Sequence, residues 1–161
     1  MPVRLALLIC DTPNPGVLAD HGDYLEIFTR FFQDSIPDKE IEFVIDGYDV
    51  VHKQEYPPAD SEYDAVVITG SAAAAYDDIP WITRLISYIN TLAKTKPAAK
   101  IIGHPEFLPN IVNKIIDVRG SSGSMDAGTV EGGRARAIRP DDGTGIIGRT
   151  IWKVIGVEST T

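Results

Sequence analysis

Val3-Arg-Leu-Ala-Leu-Leu-Ile-Cys10 runs directly into Asp11-Thr-Pro-Asn-Pro-Gly16. A nearly continuous apolar run of strand length, stopped by turn residues, is how a strand buried on both faces reads, and such strands belong to parallel sheets covered by helices. Further along, Tyr24, Leu25, Ile27, Phe28, Phe31, Phe32 and Ile36 recur at helical spacing. Asp23, Glu26, Arg30 and Asp34 are free to face water, so the spacing predicts an amphipathic helix ending before Pro37. Ile41–Ile45 predicts a second strand and Tyr63–Gly70 a third that stops at glycine. Pro80 opens a helix with Trp81, Ile82, Leu85, Ile86, Ile89 and Leu92 on one face, and Lys100–Gly103 predicts a fourth strand.

Beyond His104, the residues Leu108, Ile111, Val112, Ile115 and Ile116 predict another helix, started near Pro109 and stopped at Gly120. Residues 120–145 are rich in Gly, Ser and charge and read as loop, with one weak helical turn around Thr129 to Ala137. Ile146–Ile155 reads as a closing helix packed through Ile147, Ile151, Val154 and Ile155. Strand and helix alternate throughout, which predicts a three-layer α/β domain: a short parallel sheet with helices on both faces, flavodoxin-like in outline. No internal repeat is apparent.

Composition bounds the function. A chain of 161 residues encloses one core, so residues 1–161 are expected to form a single domain. No window reaches the ~18 apolar residues of a membrane span. The apolar N-terminal run is broken by acid and proline without a small-residue cleavage site, and so reads as a strand rather than a targeting signal. Fifteen basic and 23 acidic residues leave a charge of -8, which argues against nucleic acid as a partner. The single cysteine, Cys10, excludes an internal disulfide and a thiolate-rich zinc site and fits a reducing compartment, so cytoplasm is the expectation.

In an open α/β sheet, ligands sit beyond the carboxyl ends of the strands, which directs attention to Asp11-Thr12, Gly70-Ser71 and His104-Pro-Glu106. A histidine and a carboxylate two residues apart can form a base and its orienting acid, here His104 and Glu106. Gly70 can offer its backbone N–H to a developing oxyanion, since glycine leaves the main chain open to close approach. Against these stand blander readings. An H-x-E pair alone is common on surface loops, and Gly70-Ser71 serves equally as a strand-to-helix turn. His21 and His52 lack partners at metal-ligand spacing and read as solvated. Tyr76 and Trp81 read as packing residues, and neither a GxxxxGK[ST] loop nor a GxGxxG turn supports nucleotide binding.

Taken together, Leu5–Thr12, Val67–Ser71 with Ala75–Ile82, Gly103–Phe107 and the closing Gly143–Gly156 resemble a class I glutamine amidotransferase-like protein of the stand-alone fungal type. The resemblance implies hydrolysis of a glutamine amide or γ-glutamyl bond, without metal or organic cofactor. It implies His104 as the base, Glu106 as its partner, and Gly70 with Ser71 at the substrate and oxyanion site. It also implies a cysteine on a sharp elbow after the strand Lys100–Gly103, with His-Pro-Glu much later. In this chain the strand runs straight into His104, as though the intervening block, nucleophile included, had been excised.

Cys10 is a poor substitute, because one intervening strand between the first and fourth would set it roughly 10 Å away. A base must stand ~3 Å from the thiol it activates. The expectation is therefore a truncated family member with activity lost or impaired. The alternatives are a non-catalytic module that binds a small molecule, glutamine or a γ-glutamyl compound, and a protein-interaction module that docks on a full-length relative or self-associates through an exposed sheet edge.

Overall fold

A computed structural model of the chain describes residues 1–73, 77–103, 115–117 and 144–157, with backbone alone at 115–117 and 144–147. The strands are β1 (Val3–Ile9), β2 (Phe43–Asp49), β3 (Ala65–Ile68), β4 (Lys100–Gly103) and β5 (Ile115–Asp117). The helices are α1 (Pro15–His21), α2 (Tyr24–Ser35), α3 (Pro80–Thr95) and α4 (Thr144–Ile155). All strand pairs are parallel, and the order across the sheet is β2-β1-β3-β4-β5. This is the flavodoxin-like order, in which the direction of winding reverses between β1 and β3.

Residue type follows position in the sheet. The interior strands β1 and β3 bury consecutive residues, Leu5 to Leu8 and Ala65 to Ile68, because alternate side chains enter two separate cores. Leu5, Leu7, Ala65, Val67 and Ile102 face α2 and α4 on one side. Ala6, Leu8, Val66, Ile68 and Ile101 face α3 on the other. Edge strand β2 lacks such a run, and its Val44 is 45% exposed. The α/β reading with helices on both faces is thus what the chain adopts.

Local chemistry sets the helix ends. Asp23 and Glu26 form a reciprocal capping box at the start of α2, each side chain accepting the other's backbone N–H at 2.9 Å. Pro80 occupies the first turn of α3, where its missing N–H costs nothing, and Trp81, Ile82, Leu85, Ile89 and Leu92 form the buried stripe. On α4 the anchor is Trp152, fully buried, with edge-on contacts to Phe32 and Phe43 at 5.5 Å between ring centroids. Its indole N–H donates to the Phe32 carbonyl at 3.3 Å. One α4 turn earlier, a Cβ on Gly148 would lie 2.0 Å from Ser35 Cβ, so only glycine lets α4 approach α2 this closely.

Several expectations are corrected. Ile115 and Ile116, expected on a helix, lie in β5, paired with Ile101 and Ile102; a short β-branched apolar run cannot be told from a helix segment by periodicity alone. The rest of that expected helix lies outside the described residues, as does nearly all of the 120–145 segment. The second strand begins at Phe43 and continues through the polar Asp46, Gly47, Tyr48 and Asp49, because β1 offers a partner at every step. Helix α1, absent from the sequence expectation, begins at Pro15 within the Asp11–Gly16 turn residues. It is capped by the Asn14 side chain, which accepts from the Val17 N–H at 3.0 Å, with Pro15 in its first turn. In the closing helix, Trp152 carries the burial expected of its aliphatic neighbours: Ile151 is buried, whereas Val154 and Ile155 are half-buried.

Candidate functional site

The reversal between β1 and β3 opens a crevice at the carboxyl ends of these strands. The register sets Leu8 level with Ile68, so Cys10 and Asp11 emerge beside Thr69, Gly70 and Ser71. Two hydrogen bonds join the emerging chains. The Cys10 N–H donates to Thr69 Oγ1 at 2.9 Å, and Thr69 Oγ1 in turn donates to the Gly70 carbonyl at 3.0 Å. Thr69 and Cys10 are each 1% exposed, so the threonine hydroxyl satisfies a Cys10 N–H that burial would otherwise leave unpaired.

Nearer the surface the Asp11 carboxylate spans the crevice. One oxygen accepts from the Thr12 N–H at 2.8 Å and the other from the Ala72 N–H at 2.7 Å. The loop after β3 thus already holds an anionic oxygen on one of its amides. These are charge-assisted contacts, which fix the loop more firmly than neutral ones would. Gly70 is exposed, and a Cβ built there would meet nothing within 4 Å, so a ligand could approach this stretch of main chain without obstruction. Ser71 Oγ accepts from the Ala73 N–H at 3.1 Å, the bond of a turn residue.

On the far side of β3, β4 ends at Gly103, level with Ile68. A Cβ on Gly103 would lie 2.9 Å from Ile68 Cβ, so glycine is required for the two strands to pack. His104 and Glu106, the expected base and its partner, lie outside the described residues, as does Tyr76.

Cys10 can be judged directly. It is 1% exposed, within the core cluster that faces α3, and its thiol points back to the Leu8 carbonyl at 3.6 Å. Burial pushes the thiol up to about 12; the Thr69 side chain pulls it back in part, and the Asp11 charge adds to the rise. A thiol so placed stays protonated and inert. Strand β3 lies between β1 and β4, two interstrand spacings or ~10 Å, so the separation expected from sequence holds.

The remaining candidates fall where the residue types suggested. His21 and His52 are exposed, and Trp81 packs in the core beneath α3. Among the described residues no three His, Cys, Asp or Glu side chains come together as a metal site, and no helix is long and apolar enough to cross a membrane. Sequence reasoning missed the part played by Thr69 and the reach of Asp11 to Ala72. A buried threonine one residue past a strand, and an acid one residue past its neighbour, were the available signals, but their pairing spans about 60 residues.

Over 112 residues, 64% of its length, the chain is 32% identical to a glutamine amidotransferase-like protein of Schizosaccharomyces pombe, of which the match covers 44%. Over 100 residues, 62% of its length, it is 27% identical to a glutamine amidotransferase-like protein of Penicillium rubens, covering 39% of that protein. The chain matches less than half the length of these curated relatives. No family profile and no solved structure matches it. With a parallel sheet wound in the flavodoxin-like order, and these two likenesses over somewhat more than three fifths of its length, the chain is similar to fungal glutamine amidotransferase-like proteins.

Proposed function

We propose that this chain is a cytoplasmic glutamine amidotransferase-like domain that has lost, or nearly lost, hydrolysis of the glutamine amide or γ-glutamyl bond, and that it binds a small molecule of that class. The observation that carries the reading is the state of Cys10, the single thiol of the chain: buried, raised in pKa and two strands from the end of β4. Without a competent nucleophile only positioning and oxyanion stabilisation remain, and these alone give a small residue of an enzyme's rate. His104 and Glu106 keep the assignments of base and orienting acid, and the main chain at Gly70 and Ser71 that of the oxyanion and substrate contact. The open space over Gly70 supports this last assignment.

Two measurements on the whole chain test the proposal. Glutamine turnover is expected to be absent or barely above background in the wild type and unchanged in Cys10→Ala. Turnover that survives Cys10→Ala and disappears in His104→Ala would overturn it, as would a thioester trapped on Cys10 by a glutamine-mimicking electrophile. Calorimetry with glutamine, glutamate and glutathione is expected to give saturable heat with at least one of them, and silence with all three removes the binding role.

A second reading rests on β2, which among the described residues pairs only with β1 and leaves one edge of the sheet open. An open edge is a template for another strand, so the chain would act by self-association. Light scattering that gives a clean monomer at high concentration counts against it.

A further inference from the structure

On the α3 face lies a cleft of about 680 Å³ between α3 and the segment 56–63, which leads into β3, and its lining includes none of the residues of the crevice. The volume falls within the range of about 300–1,000 Å³ typical of small-molecule sites. Three tyrosines are among the residues that line it. Tyr56 and Tyr88 lie against each other, ring centroids 4.7 Å apart, and Tyr63 is the third aromatic of the lining. Helix α3 contributes Arg84, Ser87, Tyr88, Thr91 and Thr95 at helical spacing, a second stripe beside its buried one.

The charge of the lining opposes that of the protein. The chain carries -8, yet the ionisable groups lining the cleft, apart from its tyrosines, are two cations, Arg84 and Lys96, and no carboxylate lines it. The two acids of the neighbouring segment, Asp60 and Glu62, are exposed and outside the lining. Neither cation meets a carboxylate among the described residues. Arg84 Nη1 donates to the neutral Gln54 Oε1 at 2.7 Å, and Lys96 Nζ donates to the Ser61 carbonyl. The Arg84 guanidinium stands over the Tyr56 ring, 5.6 Å from its centroid, at the same wall as the Tyr56–Tyr88 pair. An arginine fork held at an aromatic wall by a neutral amide keeps donors for a planar anion. Lys96, the residue that caps the end of α3, lies twelve residues beyond Arg84, about 18 Å by helical rise, too far to share one anionic group with it.

We propose that this cleft binds a small aromatic carboxylate, its ring against Tyr56 and Tyr88 and its carboxylate on Arg84. The occupant is distinct from anything held in the crevice between β1 and β3.

Naphthalene-2-carboxylate is a suitable probe, with naphthalene-2-carboxamide as its neutral counterpart, both titrated calorimetrically into the full chain. The carboxylate is expected to bind saturably and about tenfold or more tightly than the carboxamide, the difference one charge-assisted contact makes. Arg84→Gln is expected to weaken the carboxylate by the same factor and leave the carboxamide unchanged. Thr91→Trp, from an exposed helix position, fills the cleft and is expected to abolish both. Lys96→Gln is expected to change either affinity less than about twofold. Equal affinity for carboxylate and carboxamide, no saturable binding, or binding unmoved in both Arg84→Gln and Thr91→Trp overturns the proposal. Glutamine titrations are independent of every arm, so failure here leaves the crevice reading standing, and the converse holds.

Discussion

Cys10 supplies the sharpest test of the chain's chemistry, because its reactivity can be worked out before it is measured. With the thiol pushed up to about 12, the thiolate fraction at pH 8 is about 10⁻⁴, against about a quarter for an exposed cysteine near 8.5. Ionisation alone therefore slows attack on a disulfide by about 10³-fold. Burial adds to this, since Cys10 is 1% exposed and lies in the core cluster that includes Ala6, Leu8 and Val66. The alternative route is transient opening of the core, which for a domain of ordinary stability exposes the site less than about one part in 10³ of the time.

The two routes separate by pH. Reaction through the native thiolate climbs tenfold per pH unit throughout the alkaline range, whereas reaction through opening levels off above about 8.5, where the exposed thiol is already ionised. The assay is stopped-flow mixing with a chromogenic aromatic disulfide, native against guanidinium-unfolded chain, over a series of pH values. A native rate at pH 8 within about tenfold of the unfolded rate refutes the reasoning. It would return a usable nucleophile to the molecule and with it the case for catalysis.

Gly148→Ala places a methyl where the contact distance to Ser35 Cβ is 2.0 Å. Overpacking of about 1–3 kcal/mol then outweighs the ~1 kcal/mol alanine gains in helix propensity. Urea unfolding followed by tryptophan emission is expected to report net loss, partly restored by adding Ser35→Gly; an equally stable single variant would mean α4 does not dock through this contact. Alkaline titration tests the tyrosines of the α3 face. Burial pushes Tyr56 and Tyr88 up to about 12, and burial with bonds to Tyr48 and Asp46 pushes Tyr63 higher still. The folded chain holds protons that the unfolded one releases near pH 10, so stability is expected to be full below about pH 10 and to fall as pH rises through 12. Phenolate absorbance showing all six tyrosines ionising together near 10 in a still-folded chain excludes this.

Much of the architecture was legible because it is written in local pattern. The unbroken run at Leu5–Leu8, the alternate apolar faces of α2 and α3, and the glycine ending Lys100–Gly103 each report how one segment meets solvent or a neighbour. Segments whose character depends on a distant partner were harder to read. Ile115–Asp117 is apolar enough for either element, and it is a strand because β4 lies alongside it. Asp46 to Asp49 are poor strand residues, and they extend because β1 pairs with them one for one. Trp152 looks like one apolar residue among several on α4. It is the anchor because Phe32, 120 positions earlier, presents a ring and a carbonyl to it.

The amino-acid order by itself determined that the first strand is buried on both faces, that the strands run parallel under helices on both faces, and that the single thiol of the chain lies at the end of the first of them. Only tertiary structure decided that β3 stands between that sulfur and the end of β4, that Thr69 seals its amide, and that Asp11 reaches Ala72. It alone gathered Tyr56, Tyr63, Tyr88 and Arg84 into one cleft. The reason is physical: hydrophobic periodicity encodes exposure one segment at a time. A site is made by side chains some 60 residues apart, and their meeting depends on the order in which the strands are laid down and on close packing between them.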